Sequence, residues 1–327
     1  MKQKSIIVTG GAGFIGAHTV KILVSHGFLP IVLDDLSQGH KDFTKWGPFF
    51  DTKISNKVIV QEIINTYQPL AVLHFAGSTH VHESVINPAK YYHNNYVEVL
   101  SFLEVLLENN IKNFIFSSSC ATYGEPKELT LNENHAQNPI NPYGQSKLML
   151  ETTLLDYEKA YDFKSCFLRY FNAAGADPAA DIGEDHDPET HLIPLVLDVA
   201  LGKRETITIC GTDYPTRDGT CVRDYIHVLD LAEAHVKALN YLLEGGKTAA
   251  FNLGSENGFT VKEIIEAIEK VTKKNIPAID GPRREGDPPQ LLADSSKAKK
   301  ILNWQTRYSD IETIITDAWR WHQKRFT

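Results

Sequence analysis

Nothing in this chain of 327 residues approaches the roughly 18 consecutive apolar residues of a membrane-spanning helix. Cysteine is scarce. The four present, Cys120, Cys166, Cys210 and Cys221, show no C-x-x-C spacing, which argues against a structural metal and for free thiols in a reducing compartment. Positive charge is also short: 33 Lys and Arg face 41 Asp and Glu, a net charge of −8. That balance argues against nucleic acid or an anionic membrane as the main partner, while a small anionic ligand needs only a few locally gathered Arg or Lys. The apolar run after the N-terminal lysines stops at Gly10, too soon for a secretory signal, and a cytoplasmic location is expected. No internal repeat or low-complexity segment is visible.

What is present is ordinary soluble composition, 42% hydrophobic and 23% charged, at a length that accommodates two modest domains. Short apolar runs alternate with helical patterns. "SIIVTG", "PIVLDDL", "LAVLHFAG", "IKNFIFSSS" and "SCFLRYFN" read as strands. Between them, "FIGAHTVKILVSHG" (closed by Gly27), "KVIVQEIINTYQ", "YYHNNYVEVLSFLEVLLENN" and "SKLMLETTLLDYEKAY" read as helices. This alternation implies right-handed crossovers and a parallel sheet covered on both faces, a doubly wound α/β (Rossmann) fold. It breaks near Ala174, and residues 177–225 are rich in Asp, Gly, Pro and Thr. "HVLDLAEAHVKALNYLL" and "TAAFNLGS" then return to the sheet, and the tail from Asn257 adds "TVKEIIEAIEKVTKK", a Pro-rich loop and a closing helix from Ser309. The expected division is a Rossmann domain of residues 1–175 with 226–254, and a smaller mixed α/β domain of 176–225 with 255–327.

Gly10, Gly13 and Gly16, in "TGGAGFIG", lie between the first strand and the first helix. Glycines there permit a tight turn and close approach to a pyrophosphate, and the helix N-terminus offers free N–H groups and a positive dipole end. A glycine triplet alone is equally a tight turn; the strand before, the helix after and Asp34 ending the second strand point to a dinucleotide. Asp34 accepts from an adenosine ribose and repels a 2′-phosphate, a repulsion to which Asp35 adds, so NAD is favoured over NADP.

In "NPYGQSK", Tyr143 and Lys147 are four residues apart and share a helix face. Tyr123 and Lys127 have the same spacing, but Gly124 and Pro126 interrupt that interval, whereas Pro142 suits a helix start. Taken alone, the pair is equally a packed phenol beside a solvated amine.

"TGGAGFIG", "HFAG", "FSSSCATYG", "NPYGQSK", "RYFNAAGA", "VRDYIHVLDLAEAH", "FNLGS" and "PRREGDPP" run in order from one end of the chain to the other. Together they resemble the UDP-glucose (UDP-galactose) 4-epimerases of the extended short-chain dehydrogenase/reductase superfamily. The resemblance implies that Tyr143 is the catalytic base, Lys147 its partner and Ser119 the hydroxyl that aligns the sugar. A transient 4-keto sugar would form and be reduced from its other face, with NAD tightly held. A phenol with an ordinary pKa of about 10 is a weak base at neutral pH, and a neighbouring ammonium together with the positive nicotinamide ring is expected to bring it down. The resemblance further implies that NAD meets Phe14, Ile15, Ile54, Phe75, Ala76, Gly77, Asn94, Ser117 and Phe171, besides the glycines, Asp34, Asp35, Tyr143 and Lys147. It assigns Arg223 and Arg284 to the diphosphate of a UDP-hexose, Asn172 and Asp287 to the UDP-sugar, Leu192 to a backbone contact and Leu291 to the sugar pocket. A homodimer is implied as well. Arg223 can instead pair with Asp224, and "GEDHDPETH", with His186 and His191, reads as a solvated acidic loop and not a metal site.

Three positions depart from the family pattern: Lys53 stands where an Asp usually meets adenine, Thr79 where a Lys lies near the cofactor, and Leu291 where many bacterial members carry Tyr. A leucine at that last position leaves room for a 2-acetamido group, so activity on UDP-GlcNAc and UDP-GalNAc is expected; packing without any change of selectivity is the plainer outcome. The same motifs also suit a 4-epimerase of UDP-xylose, UDP-arabinose or UDP-glucuronate. A non-catalytic NAD sensor fits them less well, because Tyr143 and Lys147 are both present. A dehydratase would need a carboxylate beside Ser119, where Cys120 and Ala121 supply none.

Overall fold

The apolar runs of the N-terminal half become the centre of a parallel sheet. The computed structural model describes residues 4–126, 128, 130–284 and 288–327. The chain opens with β1 (Lys4–Thr9), α1 (Phe14–Ser25), β2 (Phe28–Asp34), β3 (Phe49–Asp51), α2 (Lys57–Tyr67) and β4 (Val72–His74). Two short helices, α3 (Val81–Ile86) and α4 (Pro88–Tyr92), precede α5 (Glu98–Glu108), β5 (Asn113–Ser117), a two-residue β6 (Thr130–Leu131), α6 (Pro142–Tyr161) and β7 (Lys164–Tyr170). The second half contributes β8 (Asn172–Ala174), α7 (Leu192–Ala200), β9 (Ile207–Cys210), β10 (Val222–His227), α8 (Val228–Leu243) and β11 (Ala249–Leu253). β12 (Gly258–Thr260), α9 (Val261–Thr272), β13 (Ala278–Gly281), β14 (Gln290–Ala293), α10 (Ser296–Ile301) and α11 (Ile311–Phe326) complete it.

Seven strands form the main sheet in the order β11-β7-β5-β4-β1-β2-β3, all pairs parallel. Alternation along β1 divides the core: Ile6 and Val8 pack with α1 and α8 on one face, Ile7 with α2, α5 and α6 on the other. Both faces being covered, the strands read as continuous apolar runs, which is why they are visible in the sequence.

A second, mixed sheet runs β12-β10-β14-β6, with β8 paired to the far end of β10. β12 is antiparallel to β10, and β14 parallel. β9 and β13 form a separate parallel pair. Helices α7, α9 and α11 close a third core on Ile193, Val196, Ile264, Ile268, Ile314 and Ile315. The doubly wound sheet with a smaller mixed α/β lobe is as expected. The segment read as one long helix is interrupted, however: residues His93–Val97 form a π turn between α4 and α5. A π turn of this kind has no residue signature of its own, and the segments on either side still read as helix. All four cysteines are free thiols. Among the described residues no helix is long and apolar enough to cross a membrane.

Candidate active site

The C-terminal ends of β1, β2, β4, β5 and β7 open into one cavity of about 470 Å³, a size typical of ligand pockets. The turn after β1 supplies its floor. Gly10 has φ +69°, and a Cβ there would lie 2.5 Å from the Ala76 nitrogen. A Cβ on Gly16 would come within 2.1 Å of the Gly10 carbonyl oxygen, so α1 is pressed against the turn. At Gly13 an added Cβ meets only that oxygen, at 3.4 Å, and Gly13 lines the cavity. Gly13 is also the N-cap of α1 and offers no capping side chain, so the first N–H groups of the helix face the cavity with the positive end of its dipole. Asp34, at the end of β2, is buried and accepts from the N–H groups of Ala12 and Leu36, each at 2.9 Å. Burial raises its pKa. A bare-backbone turn, an uncapped helix N-terminus and a buried carboxylate beyond them fit a dinucleotide.

The expected cofactor residues converge here. Phe14, Ile15, Asp35 and Ile54 line the same cavity as the glycines and Asp34. So do Phe75, Ala76 and Gly77 after β4, Asn94 in the π turn, and Ser117 and Phe171 at the ends of β5 and β7. Lys53 ion-pairs with the buried Glu98 at 3.1 Å, and both line the cavity, as does Thr79. Asn95 carries no signal in the sequence. Its side chain accepts from the Ser78 N–H at 2.7 Å and donates to the Ser78 carbonyl (2.9 Å) and Ser146 Oγ (3.2 Å). It thereby ties the loop after β4 to α6. Only the π turn marks it, and periodicity hides that turn.

Helix α6 begins where Asn141 Oδ1 accepts from the Gly144 N–H at 2.8 Å, with Pro142 in its first turn. This puts Tyr143 in the cavity wall and Lys147 one turn below. Both are buried. Lys147 Nζ donates to the Ser117 carbonyl at 2.9 Å and stands 5.8 Å from the centre of the Tyr143 ring. Ser119, N-cap of the 3₁₀ turn Cys120–Tyr123, accepts from the Ala121 N–H at 3.1 Å and lies close enough to the Tyr143 phenol to favour its ionised form. Burial pushes Lys147 down to about 8 and Tyr143 up to about 12, Ser119 only partly offsetting the latter. In the protein alone burial decides the phenol's pKa, and the expected lowering rests on the ammonium together with the positive nicotinamide ring. The other pair behaves differently. Tyr123 is buried, donates to Asn252 Oδ1 (2.6 Å) and accepts from Arg169 Nη1 (3.0 Å). Lys127 lies outside the described residues.

The expected sugar-nucleotide residues are more scattered. Asn172, donating to the Asp224 carbonyl at 3.1 Å, and Leu291, packed against the cluster of Tyr123, Leu131, Phe171 and Ala293, line the cavity. Arg223 is half-buried and donates to the carbonyls of Val222 and Pro288, each at 2.9 Å. Asp224 accepts from the N–H groups of Ser255, Glu256 and Ala293 and from Ser255 Oγ. Leu192 starts α7, half-buried, and Arg284 is exposed; neither is among the residues that line the cavity. Asp287 lies outside the described residues.

One loop departs from expectation. Glu184, His186 and His191 also line the cavity, and Glu184 is buried while Asp187, Thr190 and His191 are exposed, so the loop is solvated only in part. Helix α11 covers its first part: Trp321 Nε1 donates to the Glu184 carbonyl at 2.9 Å. Burial opposes charge throughout this cluster, yet Glu184 and Glu189 raise His186 to about 9 and His191 to about 10, and both carboxyls stay below their ordinary range.

Comparison with known proteins agrees with this geometry. Residues 7–317 match the family described as GDP-mannose 4,6 dehydratase. The UDP-glucose 4-epimerase of Rhizobium meliloti (strain 1021) is 50% identical over 325 residues, 99% of either chain. The crystal structure of UDP-glucose 4-epimerase from Brucella ovis in complex with NAD superposes with a TM-score of 0.95 at 48% identity, covering 98% of both chains. The UDP-Glc/GlcNAc 4-epimerase of Campylobacter jejuni superposes with a TM-score of 0.86 at 41% identity, covering 98% of this chain and 99% of that one.

Proposed function

The chain belongs to the family described as GDP-mannose 4,6 dehydratase, among relatives named UDP-glucose 4-epimerase, and from that premise we propose that it is an NAD-dependent enzyme interconverting UDP-glucose and UDP-galactose. The observation that carries this reading is the convergence of Tyr143, its Ser119 partner and the glycine turn on one cavity, with Lys147 beneath. The dehydration in the family's description would need an acid–base carboxylate beside Ser119, and Cys120 and Ala121 offer none.

NAD, when bound, would supply a hydride acceptor for the sugar's C4 and a positive charge that favours the phenolate. Gly10, Gly13 and Gly16 with the α1 N-terminus hold its pyrophosphate, and Asp34 its adenosine ribose. Tyr143 Oη takes the proton of the 4-hydroxyl, and Ser119 Oγ orients that hydroxyl. Lys147 keeps a cation behind the phenol, which acts with the cofactor's positive charge in favour of the phenolate. Asn172, Leu192, Arg223, Arg284 and Asp287 retain the UDP while the 4-keto sugar turns over, and Tyr143 then returns the proton to its oxygen. The lobe of residues 176–225 with 255–327 is read as the sugar-nucleotide side. A cytoplasmic homodimer belongs to the same reading.

Tyr143→Phe is expected to lower turnover by roughly 10²–10⁴-fold while the NAD content of the purified protein stays unchanged. Near-normal epimerisation in that variant, followed by NMR of a UDP-hexose mixture, overturns the assignment.

Leu291 supports a second reading on substrate range. A half-buried aliphatic side chain at the cavity wall favours acceptance of 2-acetamido sugars. UDP-GlcNAc should then be epimerised, and Leu291→Tyr should reduce that activity by about 10-fold or more while sparing UDP-glucose. Undetectable turnover of UDP-GlcNAc at high enzyme concentration removes this extension.

A further inference from the structure

The cluster in the loop before α7 is not used by the proposed reaction. Its four side chains place a ligand atom each within 4.8 Å of all the others. We propose that Glu184, His186, Glu189 and His191 form a binding site for one divalent transition-metal ion, best matched by Zn²⁺.

The geometry argues for an ion over a closed hydrogen-bond network. Tetrahedral Zn²⁺ with nitrogen and oxygen ligands at about 2.0–2.2 Å separates those ligands by about 3.4 Å. His186 Nδ1 lies 3.5 Å from Glu184 Oε1 and 3.5 Å from Glu189 Oε2. His191 Nδ1 lies 3.3 Å from Glu189 Oε1 and 2.7 Å from Glu184 Oε1. Three of these four separations are near the spacing around a shared cation, Glu189 offering a different oxygen to each histidine, and the fourth is a direct contact that an ion would open. The two at 3.5 Å are too long for good hydrogen bonds. His186 Nδ1 is moreover buried and without a hydrogen-bond partner, an unmet lone pair or proton aimed into the cluster. Two carboxylates balance a dication, and two imidazoles with two carboxylates are a donor set that suits zinc.

The ligands are also held in advance. The N–H groups of Thr190 and His191 donate to Glu189 Oε1 at 2.7 and 2.8 Å, and Trp321 fixes the Glu184 backbone. Because Glu184, His186 and His191 line the cavity, the ion would stand in its wall. The binding claim does not depend on the proposed reaction.

The test uses the full-length chain stripped with a chelator. Calorimetric titration with ZnCl₂ should give one ion per chain with a Kd of about 1 µM or tighter. CoCl₂ should give the intense visible bands of four-coordinate Co²⁺. Glu189→Gln and His186→Gln should each weaken Zn²⁺ by roughly 10- to 100-fold. Absence of saturable Zn²⁺ binding, a weak octahedral-type Co²⁺ spectrum in the parent protein, or unchanged affinity in both variants overturns the proposal, leaving an imidazolium–carboxylate network.

Discussion

Lys147 sits with its ammonium against the Ser117 carbonyl and beside the rings of Phe116 and Tyr143, away from water. Its pKa falls from 10.5 to about 8, mainly through burial. Because the folded value lies below the unfolded one, keeping the amine charged destabilises the protein in full below about pH 8, and the penalty fades as pH climbs toward 10.5. The cost is at most about 3 kcal/mol at neutral pH. Removing the charge also removes the bond to Ser117, worth about 1 kcal/mol. Lys147→Met should therefore melt higher than the parent near about pH 7, with the gap narrowing by about pH 10, while turnover falls by roughly 100-fold or more. Calorimetry across that range decides it; a variant less stable than its parent at neutral pH would mean that the ammonium stabilises the fold. At this scale the sequence is informative about identity and poor about environment. The spacing of Tyr143 and Lys147 puts both on one face, but the dominance of burial over charge depends on which rings and carbonyls surround them.

Helix α6 shows how an element delivers a side chain. Its N-cap bond, Asn141 Oδ1 to the Gly144 N–H, spans the turn that contains Tyr143. Asn141→Ala should cost about 1 kcal/mol and lower the melting temperature by roughly 1–2 °C. Because the loosened turn is the one that aims the phenol, kcat should drop by about 3- to 10-fold with KM little changed. An unchanged kcat would show that packing against Tyr91 and Ser119 holds Tyr143 without the cap. The helix is legible because Pro142, the periodic stripe and the strands around it are local signals. The π turn at His93–Val97 is not, since α4 and α5 on either side of it read as helix by themselves. β6, β8 and β12 are likewise hidden: two or three residues become a strand only because distant partners in β10 and β14 offer their backbone groups.

At the scale of the molecule, α11 binds the last residues of the chain to both ends of the cavity wall. Trp321 is buried against Phe43, at 5.6 Å between rings, and lies under Gly183, where an added Cβ would be 2.3 Å from the indole. Arg325 reaches Asp185 and Asp42, each at 2.7 Å, joining the loop after β2 to the loop before α7. The magnitudes differ. Trp321→Ala opens a core cavity and deletes the bond to Glu184, costing about 3–5 kcal/mol. Arg325 is partly exposed and its ion pairs are worth about 1 kcal/mol or less. Both loops border the cavity through Gln38, Gly39, Glu184 and His191. Trp321→Ala should therefore lower the melting temperature by several degrees, release NAD on gel filtration and raise KM for the UDP-sugar. Arg325→Ala should stay within about 2 °C of the parent and retain NAD. If the tryptophan variant loses stability yet keeps its cofactor and its KM, α11 covers the core without shaping the cavity. The two loops would then owe their positions to their own turns.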